Sequence, residues 1–244
     1  MDRIAELCKE FGSVTRVIHD LNLVEVKVDN SRFVQGELER MKNPDDPSFY
    51  ELNRRELESI DLQRALSAVK RIAGAEPKLY RSDIVERLQE LMIEGDLIMK
   101  REVARALTNW SQDGDGSVDA VRQAALRLVE ADEDVPKSVI QFLIGKGDQD
   151  SVEMIHGLWL ADTREWESLY GDFGPVIEAR LLEGFDQLQP LEQLSAIRLL
   201  GRVGTAASLP VLEEANESAS AELAVSIDRA IGLIKKRTES GDGG

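Results

Sequence analysis

The chain has 244 residues, 42% hydrophobic and 31% charged, with 18 Gly and 7 Pro, a balance that excludes collagen-like, low-complexity and wholly disordered chains. Thirty Lys and Arg against 46 Asp and Glu leave a net charge of −16, which repels phosphate backbones and anionic membranes at long range and argues against nucleic acid as the main ligand. Aromatic content of 5% and a single cysteine, Cys8, beside two histidines disfavour an all-β sandwich, an internal disulfide framework and a zinc site; no metal and no cofactor are expected.

The first residues carry Asp2 and Glu6 where a secretory leader would carry bases. No uninterrupted apolar run approaches the roughly 18 residues of a membrane span. A cytoplasmic protein without membrane insertion is the expectation. A short amphipathic helix (Ile4, Leu7, Cys8, Phe11) is predicted to end at Gly12, with a second starting at Ser13. Leu23 to Val28 alternates Val with charge and is the one strand-like signal. It reads as an extended connector or the start of a helix in preference to an edge that a partner chain would augment. Asn43-Pro44-Asp45-Asp46-Pro47 is a firm break, placing an irregular N-terminal segment at 1–50, a helical unit at 51–237 and a disordered tail at 238–244.

From about Glu51 onward apolar residues recur at helical spacing. Val121, Ala124, Ala125 and Leu128 share one face, as do Leu223, Ile227, Ala230, Ile231 and Ile234. Between such segments stand Asp113-Gly114-Asp115-Gly116-Ser117, Asp134-Val135-Pro136, Gly145-Lys146-Gly147-Asp148, Gly174-Pro175, Gln189-Pro190 and Gly204-Thr205, all stop, turn or cap signals of helices. Connections this short force successive helices antiparallel and build helical hairpins.

The hairpins carry local echoes. Arg105-Ala106-Leu107 and Arg229-Ala230-Ile231 lie 124 positions apart, close to three units of about 41, a period suited to two-helix repeats. Ser67-Ala68-Val69-Lys70, Asp119-Ala120-Val121-Arg122 and Ser195-Ala196-Ile197-Arg198 echo one another at offsets of 52 and 76, so the repeats are degenerate and carry insertions. The stretch Gln193 to Arg237, with Ala196, Leu200, Gly201 and Gly204 in one helix, then Pro210 and Leu212, then Arg229 and Ala230, resembles the HEAT repeat family. The likeness is clearest there, fainter over 61–162 and absent from the first 50 residues. It implies an all-α fold, a right-handed α-solenoid of degenerate HEAT-like hairpins, whose inner helices present a binding surface to another protein or peptide segment.

Constellations that could carry chemistry are few. Asp113 to Asp119 alternates oxygen ligands, yet an EF-hand starting at Asp113 needs Gly where Val118 stands and Glu where Ala124 stands. It reads as a turn in which Ser117 or Asp119 caps the next helix. His19 and His156 have no recognisable nucleophile partner, and His156, within an apolar helix, reads as a partly buried, satisfied histidine. Trp110, Trp159 and Trp166 fall near helix ends, where such rings either anchor an interface or fill gaps between irregular helix pairs.

Residues 1–122 carry a net −5 and 123–244 a net −11. If the second helix of each pair faces the concavity, Arg101, Arg105, Lys137, Gln141, Arg180 and Arg229 form a polar track within an acidic exterior, with Trp110 as a candidate anchor. The expected function is therefore a non-catalytic protein-binding module or scaffold. Two alternatives stand beside it: a HEAT-like enzyme or accessory, DNA glycosylase-like or lyase-like, and the regulatory helical part of a larger multidomain protein. A positively charged groove holding clustered acids and aromatics is the feature that would favour the enzyme.

Overall fold

The computed structural model describes residues 12–18, 23–28 and 43–241, with side chains from 43 to 239. Strands β1 (Gly12–Ile18) and β2 (Leu23–Val28) pair antiparallel, Val14 opposite Val26 and Val17 opposite Val24, with a register shift between Val14 and Arg16. The segment from Leu23 to Val28 is thus neither a connector nor a helix start, and its hydrogen-bonding partner is in the same chain. The helix expected from Ser13 is instead β1, where Val14, Thr15, Val17 and Ile18 supply the branched Cβ atoms that suit a pleated strand. The helix expected from Ile4 to Phe11 lies outside the described residues, as does His19.

From Pro47 onward the described chain is helical. Its first six helices are α1 (Pro47–Leu57), α2 (Leu62–Ala73), α3 (Ser82–Glu94), α4 (Leu97–Trp110), α5 (Ser117–Glu130) and α6 (Lys137–Gly145). Then come α7 (Val152–Ala161), α8 (Thr163–Gly171), α9 (Glu178–Leu182), α10 (Pro190–Val203), α11 (Leu209–Glu217) and α12 (Ala221–Gly241), with short 3-10 turns before α7, α9 and α11 and before the loop into α10. The starts are chemically marked. Asp46, Asp61, Asp96 and Asp162 each accept a backbone N–H of the first turn of α1, α2, α4 and α8, and Gln189 with Glu192 forms a capping box at α10. Pro190 and Pro210 occupy the first turns of α10 and α11, where a missing N–H costs least. The loop before α5 turns at Gly114 and Gly116, with φ of 86° and 82°. Gly116 itself is the N-cap of α5, not Ser117 or Asp119, and the Asp115 carboxylate accepts the N–H groups of Gln112 and Ser117.

Packing follows the alternation of the helices. Each odd-numbered helix lies against the even-numbered one after it, α5 packs on α4 as well, and the even-numbered helices form an unbroken row in which α2, α4, α6, α8, α10 and α12 each touch the next. Between odd-numbered helices limited packing joins α1 to α3 and α3 to α5, and it thins further beyond α5. The buried apolar residues form one continuous layer between the two sets, from Phe49 and Leu57 through Val103, Leu107, Leu128, Ile140 and Trp159 to Leu200, Ile227 and Ile234. The stripe Val121, Ala124, Ala125 and Leu128 is wholly buried, as its spacing predicts.

Small residues bring neighbouring even-numbered helices close. A Cβ added to Gly201 of α10 would stand 3.2 Å from the Cα and Cβ of Ala230 on α12, and one added to Gly171 of α8 would meet the Leu199 and Arg202 side chains of α10. At the far end Thr238 to Gly241 are helical where a disordered tail is expected, and residues 242–244 lie outside the described residues. The Thr238 hydroxyl donates to the carbonyls of Ile234 and Lys235, and the Arg237 guanidinium donates to the carbonyls of Gly201, Arg202 and Gly204, which ties the end of α12 to the end of α10. No described helix is long and apolar enough to cross a membrane.

Candidate functional site

An even-numbered helix has odd-numbered helices on one side and even-numbered neighbours on its flanks, so one stripe of each is left to solvent. On α4 the stripe is Ile98, Arg101, Arg105 and Asn109; on α6 it is Lys137, Gln141 and Gly145; on α8, Arg164 and Ser168; on α10, Leu191, Arg198 and Arg202; on α12, Val225, Arg229 and Leu233. Steps of three, four or seven within each helix put these residues in line. Aliphatic side chains in the stripe are well exposed, Val225 at 69% and Leu191 at 60%.

Two grooves on this face lie over the last three even-numbered helices. A groove of about 500 Å³ between α10 and α12 has Ile197, Gly201, Ala230 and Leu233 at its base and Arg198, Arg202, Arg229 and Arg237 around it. A second, of about 440 Å³, between α8 and α10 shares Arg198 and Arg202 and adds Arg164, Glu167 and Ser168. The close approach allowed by Gly201 and Ala230 forms the floor of the first.

The arginines of this trough are held differently. Arg198 grips both carboxylate oxygens of Glu167, a two-point contact that its planar fork favours. Burial alone would raise the Glu167 carboxyl, but hydrogen bonds from Arg198 and Ser195 outweigh it and hold the group below its usual range. Ser195 in turn accepts the indole N–H of Trp159 at 2.8 Å, so a chain of polar contacts runs from the core to the surface and fixes Arg198. Arg202 donates to the Ser168 carbonyl at 3.1 Å and pairs with Asp172. Arg237 is taken up by the carbonyls at the end of α10. Arg164 and Arg229 have no carboxylate within ion-pair distance among the described residues and keep their donors free.

Five of the residues expected in a polar track, Arg101, Arg105, Lys137, Gln141 and Arg229, stand in the even-helix stripes. Arg101 and Arg105 flank Glu102, a carboxylate only 7% exposed, with Arg105 at 2.8 Å from it. Lys137 pairs with Glu165 at 3.2 Å and sits over the Trp166 ring. The other two lie elsewhere. Arg180 is on the odd-numbered α9, where it bridges Glu153 and Glu183. Trp110 is in the core, 2% exposed, its ring stacked on Phe49 and its N–H bonded to the Ile72 carbonyl at 2.9 Å. An indole with a satisfied N–H under a neighbouring hairpin has no surface to offer a partner. Trp159 is buried as well, whereas Trp166, 7% exposed, lines a groove of about 700 Å³ with Asp132, Glu133, Asp134, Lys137 and Glu165.

His156 is buried beside Trp159 and Tyr170, its Nδ1 2.9 Å from the Tyr170 hydroxyl. Burial, reinforced by the Arg180 charge, pushes the imidazole below its ordinary pKa, and burial pushes the Tyr170 phenol up. Glu178 is the other notable buried acid. Burial would raise it, but the Ser208 hydroxyl and the Thr205 N–H and hydroxyl bond it and keep it low. It pins α9 to the turn before α11, a structural role. Among the described residues no group of three or more His, Cys, Asp or Glu is arranged to hold a metal ion, and Lys146 takes up Asp113 of the glycine-rich loop.

Sequence reasoning missed Arg164, Arg198 and Arg202 as members of one trough. Arg198 and Arg202, four apart and in line with Leu191, were the available signal. No protein-family model matches the chain, and no curated protein and no solved structure is significantly similar to it.

Proposed function

We propose that this chain is a non-catalytic protein-binding module, a right-handed HEAT-like α-solenoid that engages a segment of another protein along the exposed face of its even-numbered helices. One observation carries the reading: on that continuous row, exposed aliphatic side chains alternate in line with arginines, Ile98 with Arg101 and Arg105, Leu191 with Arg198 and Arg202, Val225 and Leu233 with Arg229. Arg and exposed aliphatic groups together suit a polypeptide, whose side chains are apolar and polar in turn, and anchors of this kind dominate the affinity of protein interfaces. The even row is continuous to α12 while the odd row thins beyond α5, and in the solenoid proposed here the even side would be the concave one.

The glycosylase-like alternative needs exposed aromatic rings beside clustered acids in a basic groove. The arginine trough has the bases but no aromatic ring in its lining, Trp110 and Trp159 are in the core, and Trp166 lies in a separate groove where Asp132, Glu133, Asp134 and Glu165 surround Lys137. The regulatory part of a larger protein would use the same face in the same way.

A photo-crosslinking amino acid placed at Gln141, Ser168 or Val225 on the even face, and at Glu51, Gln123 or Glu213 on odd-numbered helices, tests the proposal in the native cell. All six positions are exposed. One and the same protein should be captured from the even positions and not from the odd ones. Capture equally from both sides, or of nucleic acid alone, would overturn the reading.

A further inference from the structure

We infer that the partner segment is acidic and that the arginine trough over α8, α10 and α12 receives its carboxylates, a deepening of the even-face reading on which it rests. The charge of the helical body is sorted by layer. The six even-numbered helices hold fourteen Lys and Arg against seven Asp and Glu, net +7, whereas the six odd-numbered helices hold six against thirteen, net −7. A chain of net charge −16 therefore keeps one face basic. That arrangement is not required for folding, because the two layers meet through apolar side chains, and at roughly 8 to 10 Å screening the positive face acts on what lies against it while the rest of the molecule turns anions away.

Within that face the trough combines arginines that keep free donors with surface relief and exposed aliphatic side chains. Arg164 and Arg229 are exposed and have no carboxylate partner among the described residues, and Arg198 and Arg202 each spend part of their donor fork on Glu167 or Asp172 and keep the rest. Guanidinium forks match carboxylates in plane and spacing. Leu191 lies beside Arg164 across the α8–α10 gap, and Leu233 lies beside Arg229 in the α10–α12 groove, so aliphatic side chains of the segment find a place between its acids. Phosphodiester offers nothing to those aliphatic groups, and Glu167 and Asp172 at the trough would oppose a continuous row of phosphates. Two helix spacings of about 9 Å span the trough, about the reach of six extended residues.

Panning a displayed library of random peptides against the full chain reads the composition of the bound segments directly. Enriched sequences should combine Asp and Glu with Leu, Ile or Val. The labelled consensus peptide should bind the Arg164→Glu/Arg229→Glu variant about tenfold or more weakly than the wild-type chain, and more weakly as salt is raised. Arg55→Glu/Arg127→Glu, the same charge change on odd-numbered helices, should alter affinity less than about threefold. Circular dichroism checks that both variants fold, and Arg164→Gln/Arg229→Gln replaces the first if it does not.

Uncharged or basic consensus peptides that still depend on Arg164 and Arg229 would overturn the acidic partner while leaving the even-face reading intact. Peptides indifferent to both double substitutions would overturn both. No enrichment, or a DNA duplex bound as tightly as the peptide and equally sensitive to Arg164 and Arg229, would overturn the acidic segment.

Discussion

Replacing Gly201 and Gly232 by alanine, one at a time, tests how tightly the even-numbered helices are stacked. Both glycines are helical, so each substitution gains about 0.5 to 1 kcal/mol from the reduced backbone entropy of the unfolded chain. At Gly232 nothing lies within 4 Å of the new methyl group, and that gain should appear whole. At Gly201 the methyl would stand 3.2 Å from the Cα and Cβ of Ala230. Neither atom can rotate away, because both are fixed by the backbone of α12, so the two helices must separate by a few tenths of an ångström along a long contact. Overpacking of this kind costs about 1 to 3 kcal/mol. Gly232→Ala is therefore expected to be more stable than wild type by about 0.5 to 1 kcal/mol, and Gly201→Ala less stable by up to about 2 kcal/mol. Urea unfolding followed by circular dichroism at 222 nm measures both, the midpoint carrying the answer if the slope is unchanged. Equal stabilisation by the two substitutions would mean that α10 and α12 have room between them and that the floor of the trough is not built as described.

Three further outcomes are expected. His156 has a depressed pKa in the folded chain, so the unfolded chain binds the proton more readily and the stability contribution, complete above about pH 6.5, is lost as pH falls below it, with a slope of at most about 1.4 kcal/mol per pH unit; unfolding titrations of wild type and His156→Gln should diverge in that window and run parallel above it. Trp159→Phe opens space in the core and removes the donor to Ser195, costing about 2 to 3 kcal/mol, and in that background Ser195→Ala should cost about 1 kcal/mol less than it does in wild type, a coupling a double-mutant cycle resolves. Arg237→Met keeps the aliphatic stem but strips three donors from the carbonyls ending α10, so it should cost about 1 to 2 kcal/mol and speed amide exchange in the last turn of α10 before any other helix.

What could be read in the sequence was what neighbouring residues decide. Gln189-Pro190, Pro210 and Gly204 mark the ends of α10 and α11 because caps and proline act within one turn, and Val121 to Leu128 shows its buried face because helical spacing alone dictates it. The hairpin of β1 and β2 was missed because a strand is settled by its partner, and Gly12 to Ile18 shows no alternation until it is laid against Leu23 to Val28. Trp110 has the look of an interface residue near a helix end, but its N–H partner is the Ile72 carbonyl of another hairpin, 38 residues away, and no local pattern reports that contact. Arg180 illustrates a different limit. The 3-10 turn Gly174–Ile177 and the short α9 shift the alternation of helices, so a base that looks as though it belongs to an inner helix lies on the other layer. Arg164, Arg198 and Arg202 share a trough only once α8 and α10 are known to be row neighbours.

The stacking of even-numbered helices in one row is the feature from which the binding face, its charge and its trough all follow, and spin–spin distances measure it directly. With Cys8 replaced by serine, one label at Ser67 on α2 and a second in turn at Gln141, Ser168 or Val225, on α6, α8 and α12, the three distances should lengthen in that order, by about 8 to 10 Å for each even-numbered helix passed. A Ser67 to Val225 distance no longer than that from Ser67 to Gln141 would bring α12 back against α2 and contradict the row.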